Sequence, residues 1–267
     1  MQSNNNGHLR TIRKKYQSKF DVLFSRSFRE MFSRSFRNRL NHWFHPQRVR
    51  RYKGLLPFHL DQIHQATNFN PKGVIHVGAH HGWEVPAYDL LNVDNIHLFE
   101  PQSDIFQLLR GKYGYKKHIH LFNSALGATD GVTLPIHREE EGSPNLSGSA
   151  SLLKPKKHLA DFPGVKFEAT PSEQVEVNTL DSYQIKNADF LVIDTQGYEL
   201  EVLKGAQQTL THIKWIIFEY WENEAYEKCV LEADIENFVA EQGFQLVLKS
   251  FLGPTGDCLA VRPECIR

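Results

Sequence analysis

Two apolar runs in this 267-residue chain end in acids placed where a carboxylate could handle a proton. DFLVIDTQGYELEVLKGA (189–206) carries a strand pattern to Asp194, turns at Gly197, and sets Glu199 in the first turn of a helix. KWIIFEYWENEAYE (214–227) delivers Glu219 in the same way, with Tyr220, Trp221 and Tyr226 close behind. An acid at the mouth of a buried strand can act as a general base or orient a hydroxyl. We therefore expect Asp194 and Glu219 to be the catalytic carboxylates. Glu199 reads equally well as an acid favoured by a helix dipole, and Glu219 as a satisfied structural acid.

A third run, GVIHVGAHHGWE (73–84), passes from a β-branched strand into a turn with Gly78 and Gly82. Gly78 frees the backbone to turn, and Gly82 lets the chain pass a ligand closely. The next strand, NIHLFE, ends in Glu100, eighteen residues after Gly82. A carboxylate there can accept hydrogen bonds from both ribose hydroxyls, so loop and acid together describe an adenosine site. A dinucleotide needs close backbone approach where this loop has His80, whose side chain would crowd a pyrophosphate. S-adenosylmethionine, which has no phosphate, fits better than NAD. A metal pair at His80 and His81 is disfavoured, because adjacent side chains diverge and no third ligand is evident; no metal is expected. His80 is instead read as part of the cofactor loop.

The elements that hold these groups alternate in type. Strand-like runs at 73–79, 95–100, 118–125, 189–194, 214–219, 244–249 and 257–262 are separated by helical stretches at 83–91, 103–113, 198–210 and 231–242. Ser103 is the expected cap of the second helix and Gly114 its exit. Alternation of this kind gives an α/β fold, a mostly parallel sheet covered on both faces. SFLGPTG leaves no room for a helix between the last two strands, so they must pair antiparallel. Residues 126–172, rich in Gly, Ser, Pro and Lys, read as an insertion or lid with short strands such as VTLPIH and a mobile loop.

Charge divides the chain. Residues 1–53 hold 14 Lys/Arg against 2 Asp/Glu, and the remainder holds 17 against 29, so a formally neutral protein splits into parts of +12 and −12. In the basic part, Phe20, Phe24, Phe28, Phe32, Phe36, Leu40 and Phe44 recur every fourth residue among arginines. On a helix this makes a basic amphipathic arm over 1–53, separate from a domain over 54–267. Residues 20–53 would suit an anionic membrane surface, a protein partner, or the acidic body of the chain itself; nucleic acid is disfavoured as a partner. No run approaches 18 apolar residues and none forms a secretory signal core. Three cysteines without a C-x-x-C pair read as reduced thiols, giving a cytoplasmic expectation with peripheral membrane attachment through the arm.

These stretches resemble the FkbM family of S-adenosylmethionine-dependent methyltransferases from about residue 72 to 263. The resemblance is carried by VIHVGAHHG, HLFEPQSDIFQLL, NSALG, GSASLLKP, VEVNTLDS, FLVIDTQGYELEVLKGA, IIFEYWENEAYE and GDCLAVRP. It implies a class I methyltransferase Rossmann-like sandwich, with seven strands and an antiparallel last one. It also implies O-methylation of a small-molecule acceptor such as a sugar, glycan or natural product. Position by position, the glycine turn falls on Gly78, Ala79 and Gly82, and the ribose acid on Glu100. The adenine-side segment falls on Asn123, Ser124 and Ala125, and the acid facing the methionine end on Asp194. Where the family usually has aspartate two residues before the first glycine, this chain has His76. An NAD-dependent oxidoreductase and a non-catalytic binding protein of the same fold remain as alternatives. DTQGYE stands where a base methyltransferase carries an N/D-P-P-Y loop, which argues against methylation of a nucleic-acid base.

Overall fold

The computed structural model describes residues 58–140, 148–251 and 253–267. The basic arm, its boundary near residue 53 and the tip of the expected mobile loop, 141–147, lie outside the described residues.

The central strands are β1 (Gly73–Val77), β2 (Asn95–Phe99), β3 (Ile119–Phe122), β7 (Phe190–Ile193), β8 (Trp215–Trp221), β9 (Gln245–Lys249) and β10 (Thr255–Val261). They form a seven-stranded sheet in the order β3-β2-β1-β7-β8-β10-β9. β1 is buried along its whole length, as is β7, which is why their sequences are continuous apolar runs rather than alternating ones. Successive side chains point to opposite faces. Ile75, Val77, Leu191, Ile193, Ile216 and Phe218 enter one core with Val202, Leu203, Ile235 and Val239. Val74, Phe190, Val192, Trp215 and Ile217 enter the other with Ile63, Tyr88, Leu109 and Tyr113. Helices α1 (Leu60–Ala66), α2 (Val85–Leu90) and α3 (Ser103–Tyr113) cover this second face. The short α4 (His158–Asp161) belongs to the insertion, and α5 (Glu199–Lys204) and α7 (Glu232–Glu241) supply the first face.

β10 is antiparallel to both neighbours, β8 and β9, so the last strand is inserted between the two that precede it. This is the mostly parallel, class I methyltransferase type of sheet expected from the sequence.

Three details differ from the sequence reading. Ser103 is the first helical residue rather than the cap; Gln102 occupies that place, and Ser103 gives its N–H and hydroxyl to Glu173 at 2.9 and 2.6 Å. The stretch 198–210 is two helices, α5 and α6 (Gln207–Leu210). Gly205 separates them because its backbone lies against the Gly127 carbonyl, where a Cβ would come within 1.9 Å. The run 118–125 is also divided. β3 ends at Phe122, and β4 (Ala125–Leu126) leaves the main sheet to join β6 (Glu173–Asn178) and β5 (Val132–Ile136) in a three-stranded sheet of order β4-β6-β5. The VTLPIH strand is therefore real, but its partner β6 lies just beyond the expected insertion.

Candidate active site

The strand order reverses between β1 and β7, and in open α/β sheets the crevice beyond the strand carboxyl ends at such a switch point receives the ligand. A crevice lies there, with about 520 Å3 of empty space counting the part open to solvent. Gly78, His80, Glu100 and Asp194 line it from the ends of β1, β2 and β7, and Ser124, Ala125 and Tyr198 complete its sides.

Gly78 is required by geometry. Its φ is +80°, and a Cβ would fall 1.8 Å from the Asp194 carbonyl oxygen. The residue thus allows two strand ends to touch. Its N–H and that of Ala79 both go to the Phe99 carbonyl, at 3.0 and 2.9 Å, which ties the loop to β2. Ala79 and Gly82 themselves do not line the crevice. A Cβ on Gly82 would meet Tyr113 and Leu109 at 2.7 and 2.8 Å, so this glycine serves packing of the loop on α3.

Glu100 is 2% exposed. One carboxylate oxygen accepts the His80 N–H at 2.8 Å, and the other accepts the Gln102 N–H at 2.9 Å. Burial nonetheless raises its pKa to about 7. Asn123 braces this corner by donating its side-chain amide to the carbonyls of Glu100 and Pro101 at 2.9 and 3.0 Å. His80 adopts φ +45°, and its ring sits beside Gly148 of the insertion. Burial, aided by His81, holds its pKa down at about 4, so the ring is neutral. Its Nδ1 is buried without a hydrogen-bond partner among the described residues.

The carboxylates expected to do chemistry separate into different roles. Asp194 opens to solvent through the crevice, while protein encloses it elsewhere. That partial loss of hydration raises its pKa, and a hydrogen bond from Gln196 opposes the rise. Glu219 does not line the crevice. Its Oε2 accepts from Gln196 Nε2 at 2.8 Å and its Oε1 from Thr255 Oγ1 at 3.0 Å. Burial and the neighbouring Asp194 push its pKa well up. Glu199 also turns away from the crevice; its Oε1 accepts from the N–H groups of Thr195 and Gly197 at 2.9 and 3.2 Å, clamping the turn. It is 0% exposed, and burial raises its pKa to about 7. Glu84 and Asp257 are likewise raised to about 7 by burial with a contribution from Asp194.

His76 is structural. It is 3% exposed, and its Nδ1 lies 3.0 Å from the Tyr88 hydroxyl. Burial takes its pKa down to about 4. Sequence reasoning misses Gln196, whose amide touches both Asp194 and Glu219. The only signal for it is its place between Asp194 and Gly197. Among the described residues, no group of three or more His, Cys, Asp or Glu converges as metal ligands. Cys229, Cys258 and Cys265 are free and buried. No helix among the described residues is long and apolar enough to cross a membrane.

Residues 76–246 match the sequence profile of the methyltransferase FkbM domain. A 2-O-methyltransferase of Sinorhizobium fredii, NoeI, is 28% identical over 167 residues, covering 60% of this chain and 67% of that protein. Similar solved structures include the FkbM methyltransferase of Methylobacillus flagellatus, at 16% identity and TM-score 0.46 over 71% of this chain. This chain spans 43% of that one's length. The ribosomal protein L11 methylase of Lactobacillus delbrueckii subsp. bulgaricus gives 15% identity and TM-score 0.41, covering 76% of each chain.

Proposed function

The chain belongs to the FkbM methyltransferase family, and on that footing we propose that it transfers a methyl group from S-adenosylmethionine to a hydroxyl of a sugar, glycan or related natural product. The observation that carries this reading is the Glu100 carboxylate. Its Oε2 accepts only the His80 N–H, which leaves that oxygen a further lone pair for a ribose hydroxyl in the crevice, while Oε1 accepts the Gln102 N–H and, at 3.3 Å, the Gln102 side-chain amide. Gly78 supports the same fit, because its missing Cβ keeps the β1 turn against β7. Ser124 and Ala125 border the adenine side. Asp194 faces the far end, where a positively charged methionine moiety would be attracted to it. Oxygen as the acceptor atom draws support from the name of the Sinorhizobium relative, a 2-O-methyltransferase.

When bound, the cofactor supplies an activated methyl on a sulfonium, so the protein's task is position and proton removal. Asp194 is the group in reach of a crevice-bound hydroxyl and takes its proton. Glu219 acts from behind it. The insertion, whose Gly148, Ala150, Ser151 and Leu152 line the crevice, covers the acceptor and sets its choice. The N-terminal arm holds the protein at an anionic membrane surface from the cytoplasmic side.

The test is calorimetric titration with S-adenosylhomocysteine, with NAD as control, followed by transfer of labelled methyl to a panel of free sugars and glycans. Binding that Glu100→Ala abolishes, with label appearing on a saccharide hydroxyl, is the expected result. Binding of NAD instead would move the protein to the oxidoreductases. Failure of both ligands with folded protein would leave a binding module that has lost its cofactor.

A further inference from the structure

Gln196 occupies a place that its backbone does not favour. Its φ is +56°, and it is followed by Gly197 at +98°. A glutamine is held in the left-handed region only where its surroundings over-determine it. Its side chain provides the reason. Nε2 lies 3.0 Å from Asp194 Oδ1 and 2.8 Å from Glu219 Oε2, so the two amide hydrogens serve two different carboxyls. At the other end, the Tyr226 hydroxyl approaches Gln196 Oε1 at 3.1 Å. The Gln196 carbonyl accepts the Ser151 hydroxyl at 2.8 Å, joining this turn to the insertion.

We propose that Gln196 is the positioning residue of the methyl-transfer site: its amide ties Asp194, which faces the crevice, to Glu219, which does not, and fixes the Asp194 carboxylate toward the acceptor. The inference rests on the function proposed above and adds the group that makes two carboxyls act as one. With nitrogen toward the acids, the amide stabilises the Asp194 anion and donates to the Glu219 carboxyl, which burial and Asp194 favour as the neutral acid. When the acceptor's proton arrives on Asp194, the amide can reverse: Oε1 then accepts from both carboxylic acids, Asp194 and the neutral Glu219, and Nε2 donates to the Tyr226 oxygen. Tyr226 can support this second arrangement because its hydroxyl also reaches the Ser149 carbonyl at 2.9 Å. Other titratable groups face the pair from every side: Glu84 at the start of α2, Glu199 at the start of α5, Asp257 on β10 beside Glu219, and Tyr226 itself. All are acids, so the Gln196 amide is the neutral donor that lets the two carboxyls lie close.

Gln196→Gly is the informative variant, since glycine favours the backbone angle and removes only the amide. Carbon-13 NMR titration of the Asp and Glu carboxyls needs no substrate and reads the pair directly. Removal of the Nε2 donor should move the Asp194 midpoint up, and Glu219→Gln, which replaces a carboxyl already held neutral there, should move it little. Tyr226→Phe should shift it upward by less than Gln196→Gly. The low-pH limb of kcat should follow these shifts, with kcat at least tenfold lower in Gln196→Gly and KM for the methyl donor changed less than threefold. An unmoved Asp194 midpoint in Gln196→Gly overturns the proposal. Midpoints that move while the rate limb stays would keep the carboxyl pair but overturn its positioning role in methyl transfer. Absence of any methyl transfer by a wild-type protein that binds S-adenosylhomocysteine would defeat the functional reading instead.

Discussion

His80 gives its backbone N–H to the Glu100 carboxylate at 2.8 Å, so the turn after β1 and the acid ending β2 are a single unit. Without ligand, burial leaves Glu100 with a pKa of about 7. Ribose hydroxyls donate to the ionised form and would pull that value down, so binding near neutral pH must release a proton. The affinity for S-adenosylhomocysteine should therefore climb as pH rises through about 7. Titrations in buffers of different ionisation enthalpy would reveal the released proton. Glu100→Gln should remove both the pH dependence and roughly 10- to 100-fold in affinity, the worth of charge-assisted hydrogen bonds. An unchanged pH profile in that variant would exclude Glu100 as the ribose acid.

Gly78 and Gly131 both have positive φ, +80° and +72°, but their surroundings differ completely. A methyl group at Gly78 collides with the Asp194 carbonyl, whereas at Gly131 nothing lies within 4 Å. Gly131→Ala should cost only about 1 kcal/mol, the ordinary left-handed penalty. Gly78→Ala should cost at least about 3 kcal/mol and abolish cofactor binding, because β1 and β7 must part. Urea melts of the two variants make the comparison. Equal costs would mean that the β1–β7 contact is softer than its geometry implies.

Which parts are legible from sequence follows from the range of the interactions. The buried strands β1, β7 and β8 announce themselves as apolar runs, and the acids at the ends of β2 and β7 follow from strand length alone. Gly82 illustrates a weaker inference: glycine spacing says that the chain passes closely by something, not whether that is a ligand or Tyr113. Glu199 and Glu219 can be read from position along the chain, yet their carboxyl directions depend on Thr195 and Thr255, partners the spacing does not indicate. Gln196 escapes because a glutamine in a turn is ordinary until the two carboxyls on either side are known. Strand β6 escapes because its core contacts, Val175 and Val177, pack a second small sheet rather than the main one.

The burial of His76 against Tyr88 has a consequence for stability. Its folded pKa of about 4 lies below the ordinary 6.5. A histidine depressed in this way contributes stability that is present above pH 6.5 and lost as pH falls toward 4, since the unfolded chain takes up the proton first. The contribution is roughly 3 kcal/mol. His80 acts in the same direction, and Glu100, Glu199 and Asp257 in the opposite one. The difference between wild type and His76→Asn isolates the single group. Unfolding free energies at pH 7 and 4.5 should show the variant losing less on acidification; parallel losses would count against a neutral buried His76.

The proposed role of the arm makes a separate demand. The sequence spaces Phe24, Phe28, Phe32 and Phe36 four apart among arginines, which a helix would gather on one face. Full-length protein should co-sediment with vesicles containing anionic lipid, and the retention should weaken with salt. Replacing those four phenylalanines with serine should release it, while S-adenosylhomocysteine affinity stays the same. Retention of the variant at moderate salt would assign the interaction to charge alone. No retention of wild type would leave the acidic body of the chain, or a protein partner, as the arm's target.

The separation of Asp194 from Glu219 yields the last prediction. Of the two, only Asp194 lines the crevice, and Glu219 reaches it through Gln196. Loss of a general base costs on the order of 100- to 10,000-fold in rate. Asp194→Asn should therefore lower kcat by that amount, while Glu219→Gln, which changes only a hydrogen-bonding partner behind it, should cost about tenfold. Affinity for S-adenosylhomocysteine should fall modestly in Asp194→Asn, because the methionine ammonium loses a counter-charge, and should hold in Glu219→Gln. Rapid-quench measurement of a single turnover would isolate the chemical step from product release. A Glu219→Gln defect as deep as that of Asp194→Asn would place the base on β8, and the crevice would then have to open toward Gln196 for the acceptor to reach it.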